Sequence, residues 1–106
     1  MKAIENLLGK KVIIRADRAG VFYGTLAQVE PLGDKWQVEL TCCRRIWYWS
    51  GAATLTQLAC EGVKKPCECK FSMIQKTILV NGVIEIHECA KEAIENIEAV
   101  KEWKER

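Results

Sequence analysis

The chain has only one histidine, His87, in 106 residues. Nucleophilic and acid–base catalysis usually need a base close to the reacting group, and histidine is the side chain that most often serves. Alternation with Ile84 and Ile86 places His87 on a solvated strand face. The seven glycines are scattered and form neither a phosphate-binding loop nor a dinucleotide-binding fingerprint. These absences predict a protein that is not an enzyme.

Long apolar runs are also missing. No stretch of eighteen consecutive apolar residues occurs, and Met1 to Glu5 lack the apolar run of a signal peptide. The sequence therefore predicts a cytoplasmic protein with no membrane partner. In that compartment the six cysteines are expected to be free thiols, and a bridge between the adjacent Cys42 and Cys43 would be strained.

Paired metal-binding knuckles are absent too. Structural zinc sites usually bring two pairs of ligands, each with its members a few residues apart, whereas this chain has a single Cys-x-Cys at Cys67 and Cys69. We therefore expect no metal and no other cofactor. The pattern alone leaves open whether Cys60, Cys67, Cys69 and Cys89 hold a metal ion.

The chain has enough apolar residues for one folded domain, predicted to span residues 1–106, because 49% of the residues are hydrophobic. Its charge is distributed unevenly. Residues 1–82 carry twelve Lys and Arg against seven acidic residues, and residues 83–106 carry four against seven. The basic body favours an anionic partner, and the acidic tail is typical of a solvated helix.

Alternating apolar residues predict strands along most of the chain. Lys11–Ala16 and Val21–Val29 read as a hairpin, and a half-buried strand follows a turn at Pro31–Asp34. The segment Gly24–Leu26, followed by a turn and then Val38–Leu40, resembles the opening of small SH3-like or Sm-like barrels.

Farther along, Asn81-Gly82 predicts a second hairpin with arms Phe71–Val80 and Val83–Glu88. Ala52–Glu61 predicts a short helix, and apolar residues at helical spacing from Ala90 to Val100 predict an amphipathic helix. The expected fold is α+β: about five antiparallel strands, either an open sheet or a small barrel, with one inserted short helix and one C-terminal helix.

One aromatic segment stands out in a chain with four Trp, two Tyr and two Phe. In the segment Arg44–Trp49, two arginines precede Ile46 and three aromatic residues. If the strand has no bulge, Ile46 and Tyr48 share the face of Leu40, and Arg45, Trp47 and Trp49 form a stripe on the opposite face. A bulge would reverse that assignment.

This segment predicts a binding site for phosphorylated nucleotides, because guanidinium groups match phosphate geometry and indole faces stack on bases. Arg44 or Arg45 would hold a phosphate, and Trp47 and Trp49 would stack on bases. The alternates for stacking are Phe22 and Tyr48, and the alternation favours packing over binding for Tyr48. The cations expected to close over the anion are Arg18, Lys64 and Lys65.

Several segments together resemble one known group. They are Ala19–Leu26, Arg44–Ala53, Gln57–Ala59, and Gly62–Pro66 with Cys69–Phe71. They are similar to an uncharacterised family of small phage and prophage proteins, catalogued as a domain of unknown function, over about Lys11 to Trp103. The resemblance implies a phage context, in which small oligomeric proteins that sequester nucleotide immune signals offer an analogy.

The leading hypothesis is a non-enzymatic homo-oligomer that sequesters a cyclic oligonucleotide or a cyclic ADP-ribose derivative and so counters host antiviral signalling in the host cytoplasm. One alternative is a module that binds single-stranded nucleic acid. Another is a phage inhibitor that binds a protein through Trp47 and Trp49.

Overall fold

The structure is a computed structural model that describes the backbone of residues 2–105 and the side chains of residues 4–105. Five strands carry nearly half of the chain, and they are accompanied, as the sequence predicted, by a short inserted helix and a C-terminal helix. The elements in chain order are α1 (Lys2–Glu5), β1 (Lys11–Ala16), β2 (Gly20–Leu32), β3 (Lys35–Tyr48), α2 (Leu55–Glu61), a 3-10 turn (Pro66–Glu68), β4 (Lys70–Phe71), β5 (Gln75–Glu88) and α3 (Lys91–Ala99).

The strands form one antiparallel sheet in the order β2-β1-β5-β3-β4, and β2 also pairs with β3. The pairings therefore run from β2 through β1, β5 and β3 and back to β2, so the sheet curls around its inner face. The two predicted turns after β1 and β2 are confirmed, because β1 pairs with β2 and β2 pairs with β3 across them.

The hairpin predicted at Asn81-Gly82 is wrong. β5 runs through both residues without turning back, and Gly82 has a φ of 77°. Up to Val83 the strand pairs with β3, and from Val83 onward it pairs with β1. A glycine adopts a positive φ at low cost and so allows this bend. Asn81-Gly82 therefore marks the place where the strand paired with β5 changes from β3 to β1.

A bulge interrupts β3 at Cys42, whose φ of 49° is the one positive value outside glycine among the described residues. On the neighbouring strand a Cβ at Gly24 would lie 2.8 Å from the Cβ of Cys43. The bulge shifts the alternation of side chains by one residue. Ile46 therefore lies on the opposite face from Leu40, as expected for a bulged strand.

The buried residues form two clusters on the two faces of the curled sheet. The inner core lies inside the curl and comprises Val12, Ile14, Ala16, Phe22, Leu26, Val38, Leu40, Cys43, Val80 and Val83. The outer core lies between the sheet and the helices and comprises Ile13, Tyr23, Ile46, Leu58, Ala59, Val63, Cys69, Phe71, Cys89, Ala93, Ile97 and Val100. Strands β1, β2 and β3 contribute to both clusters, so these strands are buried on two faces.

The two longer helices are held to each other by side-chain hydrogen bonds. Thr54 caps the start of α2 by accepting from the backbone N–H of Gln57. Asn96 of α3 accepts from the backbone N–H of Val63 at 2.8 Å and donates to its carbonyl at 2.9 Å. Gly62 ends α2 directly beside Asn96, with a φ of 80°. Within residues 2–105, no helix is long and apolar enough to cross a membrane.

Candidate functional site

Arg45 is the exposed cation of the aromatic segment. Its guanidinium carbon lies 4.4 Å from the centroid of the Phe22 ring, and its Nη1 donates a 2.7 Å hydrogen bond to the carbonyl of Ala19. The stacking contact and the hydrogen bond fix the plane of the guanidinium. Within the described residues its other N–H groups have no partner, so they are available to an anion.

Two adjoining cavities meet at Arg45. Both are lined by Phe22, Arg45 and Ile78, and we call them together the Arg45 groove. One, of about 340 Å³, extends toward Met73 and Ile74. The other, of about 510 Å³, extends toward the turn between β1 and β2. The floor is apolar and the guanidinium projects from it.

The larger cavity is surrounded by positive charge. Arg18 and Lys35 line it together with Arg45, and Asp17 is the one acidic residue among its lining residues. Lys35 is shared between Asp34, at 3.2 Å, and Asp17, at 3.9 Å. Arg18 has no hydrogen-bonding or ion-pairing partner within residues 2–105. The Arg18 and Arg45 guanidinium groups are therefore the free donors of this cavity.

Trp47 follows Arg45 on the same face of β3, because the buried Ile46 lies between them. The Trp47 side chain is 66% exposed and the Tyr48 side chain is 50% exposed. Residues two apart on a strand are separated by about 7 Å, and Trp47 itself lines neither cavity of the Arg45 groove. The assignment of Tyr48 to the core is wrong, since β3 ends at this residue, beyond the edge of the outer core.

Arg44 is too deeply buried to bind a phosphate from solution. Its side chain is 2% exposed, and it donates at 2.8 Å to the carbonyls of Ser72 and Ile97. Its guanidinium carbon also lies 5.4 Å from the Phe71 ring centroid, and its buried Nη2 has no hydrogen-bond partner among the described residues. Burial lowers the pKa of Arg44 and outweighs the opposing effect of the Glu102 charge. Arg44 joins the sheet to α3, so we exclude it from the binding site.

Trp49 is separated from the predicted stripe, because the strand ends at Tyr48. Its Nε1 donates at 3.2 Å to the carbonyl of Ala52, and its ring packs against the outer core. Lys64 and Lys65 lie beside the backbone of Gly51 and line neither cavity of the Arg45 groove. The structure therefore brings together Arg18, Phe22 and Arg45, and it brings none of Trp47, Trp49, Lys64 or Lys65 into either cavity. Phe22 is 1% exposed beneath Arg45, so its ring is closed to a base.

His87 lies on another part of the surface. Its Nε2 is 2.8 Å from Glu85, and its side chain is only 23% exposed, so the prediction of a solvated position is wrong. Glu85 also lies 3.5 Å from Arg15, and these three residues line a separate cavity with Trp49. This cluster and the Arg45 groove share no lining residue.

All six cysteines are free thiols, three of them buried. Burial raises the pKa of the Cys89 thiol to about 12 and also raises the pKa of Cys43 and of Cys69. Among residues 2–105, no group of three or more His, Cys, Asp or Glu side chains is arranged to hold a metal ion.

Sequence reasoning missed several residues of the groove. Lys35 follows a turn and has no recognisable motif, and Ile78 was placed on one arm of a hairpin that does not exist. Asn81 and Gly82 line the larger cavity because β5 continues through them. Only the correct pairing of β5 would have identified these residues, and pairing between distant strands is not encoded in a local pattern.

Comparison with known proteins identifies a family but no activity. Neither a curated protein nor a solved structure matches the chain. One family model matches residues 9–97, which include all five strands and most of α3. The chain therefore belongs to the family described as a domain of unknown function, DUF6948.

Proposed function

We propose that this protein binds a small phosphorylated nucleotide in the Arg45 groove and performs no chemistry on it. The observation that carries this function is the Arg45 guanidinium, which is fixed on Phe22 and on the Ala19 carbonyl while its remaining N–H groups face the groove. A planar donor held in one orientation suits a phosphate, because two parallel hydrogen bonds form without further ordering of the side chain.

The surroundings of Arg45 support a phosphate rather than a neutral ligand. Arg18 and Lys35 add positive charge to the larger cavity, whose volume of about 510 Å³ suits a ligand of nucleotide size. The exposed ring of Trp47, two residues after Arg45 on β3, offers a stacking surface outside the cavities, and stacking of one base contributes about 1–3 kcal/mol. Phosphate and base thus have separate, neighbouring contacts.

The resemblance to small phage and prophage proteins supports a biological role for such a binder. In that setting, a protein that captures a cyclic oligonucleotide or a cyclic ADP-ribose derivative would remove a host defence signal from solution. Sequestration needs tight binding and a high copy number, and it needs no catalytic group. A homo-oligomer would place several grooves in one particle.

Calorimetry with a panel of ligands tests this function. The panel contains mononucleotides, linear and cyclic dinucleotides, cyclic trinucleotides and cyclic ADP-ribose derivatives. We expect one class to bind with micromolar or lower Kd, and Arg45→Ala to weaken it at least about tenfold, since a charge-assisted bidentate contact contributes about 1.5–3 kcal/mol. Lys91→Ala removes an exposed cation of α3 and is the matched control. A panel in which no nucleotide binds would overturn the proposal.

A single-stranded nucleic-acid module is the second candidate, because Trp47 and Tyr48, consecutive residues at the end of β3, are both exposed. Oligonucleotides of increasing length separate the two functions. A nucleotide-binding groove saturates with a ligand of one or two nucleotides, whereas a strand-binding surface gains affinity with length and loses it steeply with salt.

A further inference from the structure

One stretch of β5 has a free hydrogen-bonding edge. Gln75–Val80 pair with β3 on one side, and β1 reaches β5 only from Val83 onward. Among the described residues no strand pairs with the other side of Gln75–Val80. Every second residue of this stretch therefore presents its backbone N–H and C=O to open space.

The space beside this edge is the Arg45 groove. One cavity is lined by residues from Ser72 to Gln75 and by Ile78, and the other is lined by Ile78 to Gly82. The cavities contact the free edge at Gln75 and from Ile78 to Val80, and Lys76 and Thr77 line neither of them. The edge is roughly 20 Å long at about 3.3 Å per residue. An extended chain segment of about six residues fits that length.

The contrast with the other free edge of the sheet is informative. The second half of β2 pairs only with β3, but Pro31 lacks an N–H and Glu30 adds a charge, and both features protect an edge from pairing. The β5 edge has no proline from residue 67 to residue 106. It exposes Leu79 at 62%, and the loop before it exposes Ile74 at 53%. One edge is protected, and the other is open and partly apolar.

Charge indicates the chemistry of the partner. Residues 69–84 contain Lys70 and Lys76 and no acidic residue. Lys76 and Ile78 alternate with Thr77 and Leu79, so Lys76 lies on the groove face of β5. That face therefore presents the positive charges of Lys76 and Arg45, while the opposite face presents Leu79.

We propose that the β5 edge binds an extended segment of a partner protein as an added antiparallel or parallel strand, with acidic residues facing the groove and apolar residues facing Leu79. Backbone hydrogen bonds to Gln75–Val80 supply affinity, and the alternation of acidic and apolar side chains supplies specificity. The partner strand occupies the groove beside Arg45, so it and a nucleotide exclude each other. The strand site rests on the free edge and is independent of the nucleotide function.

Fluorescence anisotropy with a labelled nine-residue peptide of alternating Glu and Val tests the side-chain pattern. We expect binding, and a loss of at least about tenfold for Lys76→Glu and for Leu79→Lys, because central interface residues commonly contribute more than about 1.4 kcal/mol. Lys91→Glu is the control for charge reversal and leaves the affinity unchanged. A peptide with Lys in place of Glu does not bind.

Two N-methylated copies of the peptide test the backbone contacts. Methyl groups on the N–H groups that face β5 abolish binding, and methyl groups on the other set leave it intact. Equal binding of both copies would overturn strand addition. Hydrogen exchange provides a second measurement: the peptide should slow exchange of alternate amides in residues 75–80, and a peptide that binds without this protection would also overturn the proposal.

The two functions fail separately. Lys76 lines neither cavity, so Lys76→Glu weakens the peptide and leaves nucleotide binding in place, whereas failure of the whole nucleotide panel with the parent protein leaves peptide binding intact. The molar mass of the protein alone is measured over the same concentration range. Doubling of the mass with protection of residues 75–80 in the absence of peptide would show that a second copy occupies the edge and would overturn the proposed partner. A Kd of about 1 mM corresponds to a binding free energy of about −4 kcal/mol. If the peptide does not bind at about 1 mM, the proposed strand site is overturned as well.

Discussion

Arg44 and Arg45 are neighbours in the sequence and lie on opposite faces of β3, with Arg44 2% exposed among backbone carbonyls and Arg45 exposed above the Phe22 ring. The same side chain thus has two different roles one residue apart. Arg44 holds the sheet to α3, and Arg45 is presented to the groove.

This difference predicts opposite effects of the same substitution. Arg44→Ala should lower the free energy of unfolding by about 3 kcal/mol, because it removes two charge-assisted hydrogen bonds made by a buried side chain. Arg45→Ala should lower it by about 1 kcal/mol, which is typical of an exposed cation–π contact. Urea unfolding of the two variants checks the ranking. Equal effects would mean that Arg44 does not join the sheet to the helix.

Gly24 should not tolerate a side chain. A Cβ at this position would lie 2.8 Å from the Cβ of Cys43 and 3.2 Å from the carbonyl oxygen of Thr41. Gly24→Ala should therefore cost about 2 kcal/mol, as overpacked cores do. Thermal or urea unfolding measures the loss, with Ala27→Ser as the control at an exposed position of the same strand. A Gly24→Ala variant as stable as the parent would contradict the close contact at the bulge.

Glu98 should make the free energy of unfolding depend on pH in the acidic range. Burial alone raises its pKa, but hydrogen bonds from Lys11 and Tyr23 and the charge of Lys11 outweigh burial and lower the pKa below the ordinary value of 4.5. The pKa of Glu98 is lower in the folded state than in the unfolded state. The stabilisation by Glu98 is therefore fully present above pH 4.5, and it is lost as the pH falls through the pKa of the folded state. Glu98→Gln should remove this part of the pH dependence.

The measurement is the urea midpoint as a function of pH for the parent and for Glu98→Gln. The difference between the urea midpoints of the parent and of Glu98→Gln should shrink as the solution becomes more acidic than pH 4.5. Glu92→Gln, on the first turn of α3, is the control and should follow the parent. Burial and the hydrogen bond to Glu98 raise the pKa of Tyr23, so Tyr23 stays a donor throughout this range.

The six thiols should divide into two groups of three. Cys42, Cys60 and Cys67 are exposed, and the other three are buried with raised pKa values. Since the thiolate is the reactive form, burial and a raised pKa both slow alkylation. Mass spectrometry after brief iodoacetamide treatment should show three modified cysteines in the folded protein and six in denaturant. Rapid labelling of Cys89 in the folded state would contradict its buried position.

The α+β fold could be predicted from the sequence because strand alternation, the turns after β1 and β2, and the amphipathic α3 are local patterns. The course of β5 could not. Asn81-Gly82 is a strong hairpin signal, yet the segments on its two sides pair with different strands, β3 and β1, instead of with each other. A bend at Gly82 takes the place of the turn. The choice between a turn and a bend depends on which distant strand offers a partner.

The candidate site was predicted in part for a related reason. Alternation along Arg44–Trp49 identified the segment, but the face of each side chain depended on whether the strand was bulged. The positive φ of Cys42, opposite Gly24, settles that question. A bulge is determined by close contact with a second strand, so the sequence offered both alternatives and no means of choosing between them.

Phe22 is at once the floor of the Arg45 groove and a member of the inner core, where it is 1% exposed. Its ring cannot rotate or sink to suit a ligand without opening a void among its neighbours. The guanidinium above it is therefore oriented before any ligand arrives. Such a preorganised site loses little conformational entropy on binding, and it selects ligands by rigid fit more than by adjustment.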